Sequence, residues 1–134
     1  LEHVDDDRGL VRHYADKVPS GAHFLVTVPA FEFLWSGHDV FLEHKRRYRL
    51  PGIETVLRDA GLEIVRGSYY FGLVFPLAAA VRLADRNTTE PRSSLKKQGA
   101  LTNALLTAIC AAELPMFPLN RLAGLSCFVL ARKS

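Results

Sequence analysis

Apolar positions first recur at helical spacing. Leu10, Val11, Tyr14 and Val18 form one stripe and predict a helix over residues 6–17. Asp5, Asp6 and Asp7 stand at its start, where they supply an N-cap and negative charge at the positive end of the helix dipole. Lys17 sits near the far end, and Pro19, Ser20 and Gly21 stop the helix. Residues 22–28 are then a nearly continuous apolar run, which predicts a central strand covered by helices on both faces. Pro29 is expected to end it, having no N–H for the ladder.

Residues 30–50 break this regularity. The segment is aromatic-rich and irregular, with Phe31, Phe33, Trp35, His38, Phe41, His44 and Tyr48. Long connections of this kind are uncommon in compact domains and are often functional. This one leaves the carboxyl end of an apolar strand, where α/β folds bind ligands. Pro51 suits the first turn of a helix over residues 51–60, with Ile53, Val56 and Leu57 inward and Gly61 as a left-handed cap. Residues 62–70 read as a strand. A helix over residues 73–85 tolerates Pro76 only because it falls near the first turn. Residues 86–99 are polar, hold Pro91, and read as a loop. A helix over residues 100–114 is apolar around much of its circumference, and residues 125–132 close the chain as a strand.

The 134 residues suffice for one domain or part of one. With 49% hydrophobic and 23% charged residues, a disordered chain is excluded. The net charge of +3 is scattered, which argues against nucleic acid as a partner. One dense patch, His44-Lys45-Arg46-Arg47-Tyr48-Arg49, reads as a solvated face or as an anion site. Cys110 and Cys127 lie in apolar runs, as buried free thiols do, and point to a reducing, cytoplasmic setting. The sequon Asn87-Thr88-Thr89 would matter only in a secreted protein. No stretch approaches the ~20 apolar residues of a membrane span. The opening lacks a strand, so the chain reads as the back half of an α/β domain. The expectation is that the part gripping a cofactor precedes Leu1.

Several stretches, in order, carry a family resemblance. Leu1-Glu2-His3-Val4 with Asp5-Asp6-Asp7 looks like the segment after the fourth strand of class I S-adenosylmethionine-dependent methyltransferases. Residues 17–29 are similar to that family's turn into its fifth strand, with Ser20 in place of the usual first glycine and Gly21 retained. Residues 56–65 resemble the turn into the sixth strand, and Phe128-Val129-Leu130-Ala131-Arg132-Lys133 the chain ending. Trp35-Ser36-Gly37-His38-Asp39 with His44-Lys45-Arg46-Arg47-Tyr48 is similar to a subgroup of the family. The resemblance implies an α/β fold with a partial Rossmann-like sheet. Its strands five, seven and six (residues 22–28, 125–132 and 62–70) would lie in that order, the last in the chain antiparallel. Residues 1–134 would be the C-terminal part of the domain, with a helical insertion at about 72–118. The family's glycine-rich loop and the acidic residue of its second strand have no counterpart here. The missing fourth strand would leave residues 22–28 with an unpaired edge, which invites self-association.

What the resemblance implies about chemistry follows. Glu2 and His3 would border the S-adenosyl-L-methionine pocket, with His3 as a base. His38 with Asp39 or His44 would orient and deprotonate an acceptor hydroxyl. Arg46 and Arg47 would grip a carboxylate or phosphate through forked bonds. Trp35, His38, His44, Arg47 and Tyr48 would contact a small-molecule or lipid-like acceptor, with Phe33 beside Trp35 as an apolar wall. The spacing of His38, Asp39 and His44 matches no closed zinc pattern, so no metal is expected. The late apolar helices read as core packing, or else as a lipid-like site, a peripheral membrane contact or a subunit interface. The chain alone is expected to be inactive. The rival expectation is a non-enzymatic interaction module built on these helices and the basic loop.

Overall fold

The computed structural model describes residues 1–84 and 99–134. The expected polar loop, apart from Gly99, and its sequon lie outside the described residues. Helix α1 (Asp7–Ala15) starts where expected, with Asp6 Oδ1 accepting from the Gly9 N–H at 2.8 Å. It ends before Lys17, because the chain tightens there and the Lys17 N–H turns back to Tyr14 O. Gly21 then takes a φ of +86°, which a side chain would resist. Strand β1 (His23–Pro29) runs through the proline instead of stopping before it. Pro29 occupies the terminal pair, opposite Ser126, and still uses its carbonyl to accept from the Tyr48 N–H at 2.8 Å.

The connection that follows holds a 3-10 turn (Glu32–Leu34) and the short helix α2 (Gly37–Phe41). Helix α3 (Leu50–Asp59) carries Pro51 in its first turn, and Gly61, at φ +83°, passes the chain straight into β2 (Leu62–Tyr70). Helices α4 (Phe75–Ala84) and α5 (Ala100–Glu113) come next, then a 3-10 turn (Phe117–Leu119) and β3 (Ser126–Lys133).

The three strands form an open sheet in the order β1-β3-β2, with β3 antiparallel to both neighbours. Val129 pairs with Val26 on one side and Gly67 on the other, and β2 carries a bulge between Ile64 and Arg66. β1 and β2 therefore run parallel. Their carboxyl ends, Pro29 and Tyr70, both reach Ser126, so the segments that leave them emerge side by side. Alternate β3 residues Cys127, Val129 and Ala131 are fully buried and meet α1 and α3 through Val11, Ala15, Ile53, Val56 and Leu57.

Residues 22–28 were expected to be covered on both faces, and β1 is not. It is an edge strand, and among the described residues its only strand partner is β3. Leu25 points away from the core and is 69% exposed. A groove of about 330 Å³ runs beside this edge, lined by Leu1, Leu10, Tyr14 and Phe24 among others. The opposite face is covered only toward the Ser126 end, where Phe117 packs edge-on to Phe128 and Tyr70. Helices α4 and α5 do not complete a second layer: no residue of α4 is fully buried. Leu77, Val81, Leu101 and Leu105 are exposed. No helix among the described residues is long and apolar enough to cross a membrane.

The two thiols are expected to behave differently. Cys127 is fully buried, and desolvation, with a smaller contribution from the charge of Glu54, pushes its thiol up to about 12. Cys110 is half-buried. Alkylation of the native protein at neutral pH should label Cys110 and spare Cys127 until denaturant is added. Equal labelling rates, measured by mass spectrometry, would contradict the core described above.

Candidate functional site

The segment between β1 and α3 is fastened at both ends before it does anything else. Ala30 N–H donates to Leu125 O at 2.9 Å, Phe31 N–H to Tyr48 O at 2.8 Å, and Tyr48 N–H to Pro29 O at 2.8 Å. The chain thus returns beside the point where it left. Phe31 takes a φ of +57°, a strained conformation for an aromatic residue, costing about 1–3 kcal/mol. Ring packing offsets it: Phe31 stacks on Tyr69 at 5.1 Å between centroids and touches Phe33 and Phe75, each at 5.4 Å.

Inside this loop, the Asp39 side chain is wholly buried. Its Oδ2 accepts from Ser36 N–H at 2.9 Å and Ser36 Oγ at 3.1 Å, closing the first turn of α2. Arg47 donates to both oxygens, Nε to Oδ1 at 2.8 Å and Nη2 to Oδ2 at 3.0 Å. Arg82 of α4 reaches Oδ2 at 3.5 Å while donating to Leu34 O at 2.9 Å. His44 Nδ1 lies 2.9 Å from Oδ1. Burial alone would raise the Asp39 carboxyl. The bonds from Arg47 and His44 outweigh it and hold Asp39 below its ordinary 3.8. An ionised carboxylate only accepts, so Nδ1 of His44 is the donor, and in the neutral ring this leaves the lone pair at Nε2.

The outer side of His44 faces the chain's first residues. The His3 ring meets it edge-on, with centroids 4.9 Å apart. His3 Nε2 is 3.9 Å from Glu2 Oε1, while Glu2 Oε2 accepts from the Leu1 amine at 3.2 Å. Burial works to raise Glu2, but its own backbone N–H and the Leu1 amine outweigh it, so its carboxyl lies below the ordinary value. Residues 45–48 stitch this segment down. Lys45 N–H donates to Glu2 O at 2.7 Å, and Arg46 Nη2 donates to Val4 O and Asp5 O at 3.0 and 2.8 Å. Tyr48 Oη donates to Asp7 Oδ2 at 2.7 Å, and burial together with that bond raises its phenol far above the usual range.

Of the residues expected at a site, Glu2, His3 and His44 are therefore brought together. Arg47 and Tyr48 are turned inward: the carboxylate that Arg47 grips is the chain's own Asp39, and Tyr48 is buried against Asp7. In the dense basic run 44–49, Lys45 pairs with Asp5 and Arg46 with Asp7, while Lys45 and Arg49 remain exposed. Trp35 and His38 are half-buried at the start of α2, and His38 is held below its ordinary 6.5 by burial and then by the charge of Arg82. The grouping of Glu2, His3 and His44 does not include them.

Sequence reasoning missed Arg82 and Glu113. Glu113 is the lone charge of its predicted helix, and Arg82 stands with only Asp85 in an otherwise apolar one, a signal that marks a side chain with a specific partner. Glu113 is 3% exposed, and its Oε1 accepts from Gly72 N–H at 2.7 Å. Beside it lies an apolar groove of about 450 Å³, walled by Leu73, Phe75, Pro76, Met116, Leu119 and Leu122. Phe75 belongs both to this wall and to the ring cluster around Phe31. The arrangement offers a histidine oriented by a buried carboxylate and, around Phe75, an apolar trough.

The chain matches no protein-family model and no curated protein.

Removing Asp39 strands Arg47, whose side chain is only 5% exposed. Asp39→Ala should cost about 3–5 kcal/mol in urea unfolding at pH 7. The sign with pH follows from the depressed pKa. The contribution of Asp39 is complete above the ordinary carboxylate value and is lost as pH falls through the folded pKa. The gap between wild type and variant should therefore narrow below pH 3.8. A gap under about 1 kcal/mol at pH 7, the level of an exposed pair, would show that the network does not organise the loop.

Proposed function

We propose that this chain forms the acceptor-holding side of an S-adenosylmethionine-dependent methyltransferase, acting on a small or lipid-like acceptor. The observation that supports the reading best is the strand order. β3 lies antiparallel between the parallel β1 and β2, the arrangement that the resemblance of the sequence to this family implies. The loop bearing His44 and the segment opening the groove both leave the carboxyl ends of β1 and β2, where open α/β sheets bind ligands.

The residues present do not fit the donor. At the end of β1 the backbone reads Pro29-Ala30-Phe31, with no glycine cradle. Both grooves are walled mainly by apolar residues. In this proposal the grip on the donor falls to residues other than those described. What these residues would do concerns the acceptor. Its hydroxyl proton passes to His44 Nε2, and Asp39 stabilises the resulting imidazolium. The groove beside Phe75 takes the apolar body of the acceptor, and the alignment of the nucleophile does the rest. His3 and His38, the bases expected from the sequence, become neighbours of this centre in the proposal, and Trp35 an element of its wall.

Two measurements test the reading. Titration of the purified chain with S-adenosylmethionine should give no saturable heat, and a clear binding isotherm would overturn the division of labour proposed. Translation of the reading frame upstream of Leu1 should show a glycine-rich strand-to-helix turn. An unrelated domain there would sink the methyltransferase reading.

A second reading, an interaction module, is favoured by the exposed apolar residues of the late segments, with Leu101 86% and Leu122 91% exposed. Together with the free edge of β1 it proposes self-association, or peripheral contact with a membrane. Sedimentation velocity should then show association that grows with concentration, and a strict monomer at high concentration would remove the support for self-association.

A further inference from the structure

We propose that Glu2, His3 and His44 form a binding site for one divalent transition-metal ion of the zinc class. The proposal does not rest on the methyltransferase reading, and it gives the His44 Nε2 lone pair to a metal ion in place of the acceptor proton, so in the metal-bound state His44 is a ligand and not a base. One ligand atom from each residue lies within 4.8 Å of the others. In a tetrahedral site with bonds of about 2.0–2.1 Å, ligand atoms stand roughly 3.4 Å apart, so only a small inward movement is needed. The residue best able to move is present. The His3 side chain is 53% exposed, whereas Glu2 is 19% and His44 9% exposed. Two ligands are held, and one swings in.

The surroundings of His44 are those that a metal-bound imidazole requires. Its Nδ1–H is fixed on Asp39 Oδ1 at 2.9 Å, which selects the tautomer and leaves Nε2 as the ligating atom. Asp39 is itself fixed by the Arg47 fork, so the ring cannot rotate away without giving up its hydrogen bond to a buried, immobile carboxylate. Glu2 is positioned independently: the Lys45 N–H holds its carbonyl at 2.7 Å, while Oε1 faces His3. Two imidazoles and one carboxylate suit zinc or cobalt in preference to magnesium or calcium, which favour all-oxygen sites. Three protein ligands leave a fourth position for water or for a substrate oxygen. That pattern belongs to reactive zinc sites and not to closed structural ones.

The test uses the tag-free 134-residue chain after chelator treatment. Titration with cobalt(II) chloride should give a visible ligand-field band that saturates at one ion per chain, and zinc should displace it. His3→Ala, at an exposed position that leaves the fold intact by circular dichroism, should weaken cobalt binding at least tenfold. His44→Ala should abolish the band. Asp39→Asn, a positioning change, should weaken binding by about 10–100-fold while keeping the band's shape. His13→Ala, on the exposed face of α1, should change nothing. Absence of the band, or a band equally strong in His3→Ala and in wild type, would overturn the proposal.

Discussion

A carboxylate stripped of water carries a desolvation cost that only close counter-charges and hydrogen bonds can offset. Asp39 meets that condition through two arginines, a serine and a histidine drawn from three separate stretches of the chain. The demand is mutual. Arg47 and Arg82 need the anion as much as it needs them, and His44 takes its tautomer from it. The Arg47 N–H is tied to Glu32 Oε2 at 3.0 Å, so the anchor extends to the 3-10 turn as well. The irregular connection after β1 therefore has one conformation, although only short helical pieces lie within it. The strained backbone at Phe31 persists because the structure on either side of it is fixed.

The sheet supplies the second constraint. Inserting β3 between β1 and β2 in the opposite direction forces those two strands to end on the same side. The Asp39 network and the trough beside Phe75 lie at that end or on segments fastened to it. α1 and α3 give the sheet one packed face, while α4 and α5 reach the rest of the described residues through the hydrogen bonds of Arg82 and Glu113 and the ring packing of Phe75. The result is a firm core beside an apolar surface that remains largely exposed.

Much of this was legible in the linear pattern, and the reasons are local. Residues 62–70 contain β-branched and aromatic side chains and follow Gly61 directly, so the β2 boundaries could be read from residue type. Gly61 and Gly21 marked the positive-φ turns because only glycine enters them freely. Strand order was a different matter: it came from the likeness of short stretches to a family, since periodicity says nothing about which strands pair. The site was half legible. Chemically rich residues at 35–48 drew notice, but residue type alone cannot say whether an arginine serves a ligand or its own fold. Arg47 serves the fold, through Asp39 eight positions away. Arg82 meets the same carboxylate from 43 positions away, a separation over which sequence spacing carries no information. His3 and His44 adjoin because residues 45–48 are laced to residues 2–7, a pairing of loops that follows no repeat.

Helix α4 has an unusual position in this scheme. Near its start, Phe75 forms part of the apolar trough, and near its end, Arg82 steadies the charge behind His44. With no side chain of its own fully buried, the helix is held chiefly by these two attachments. The helix thus lends one end to the trough and the other to the carboxylate that orients His44, and its ten residues border both without belonging fully to either.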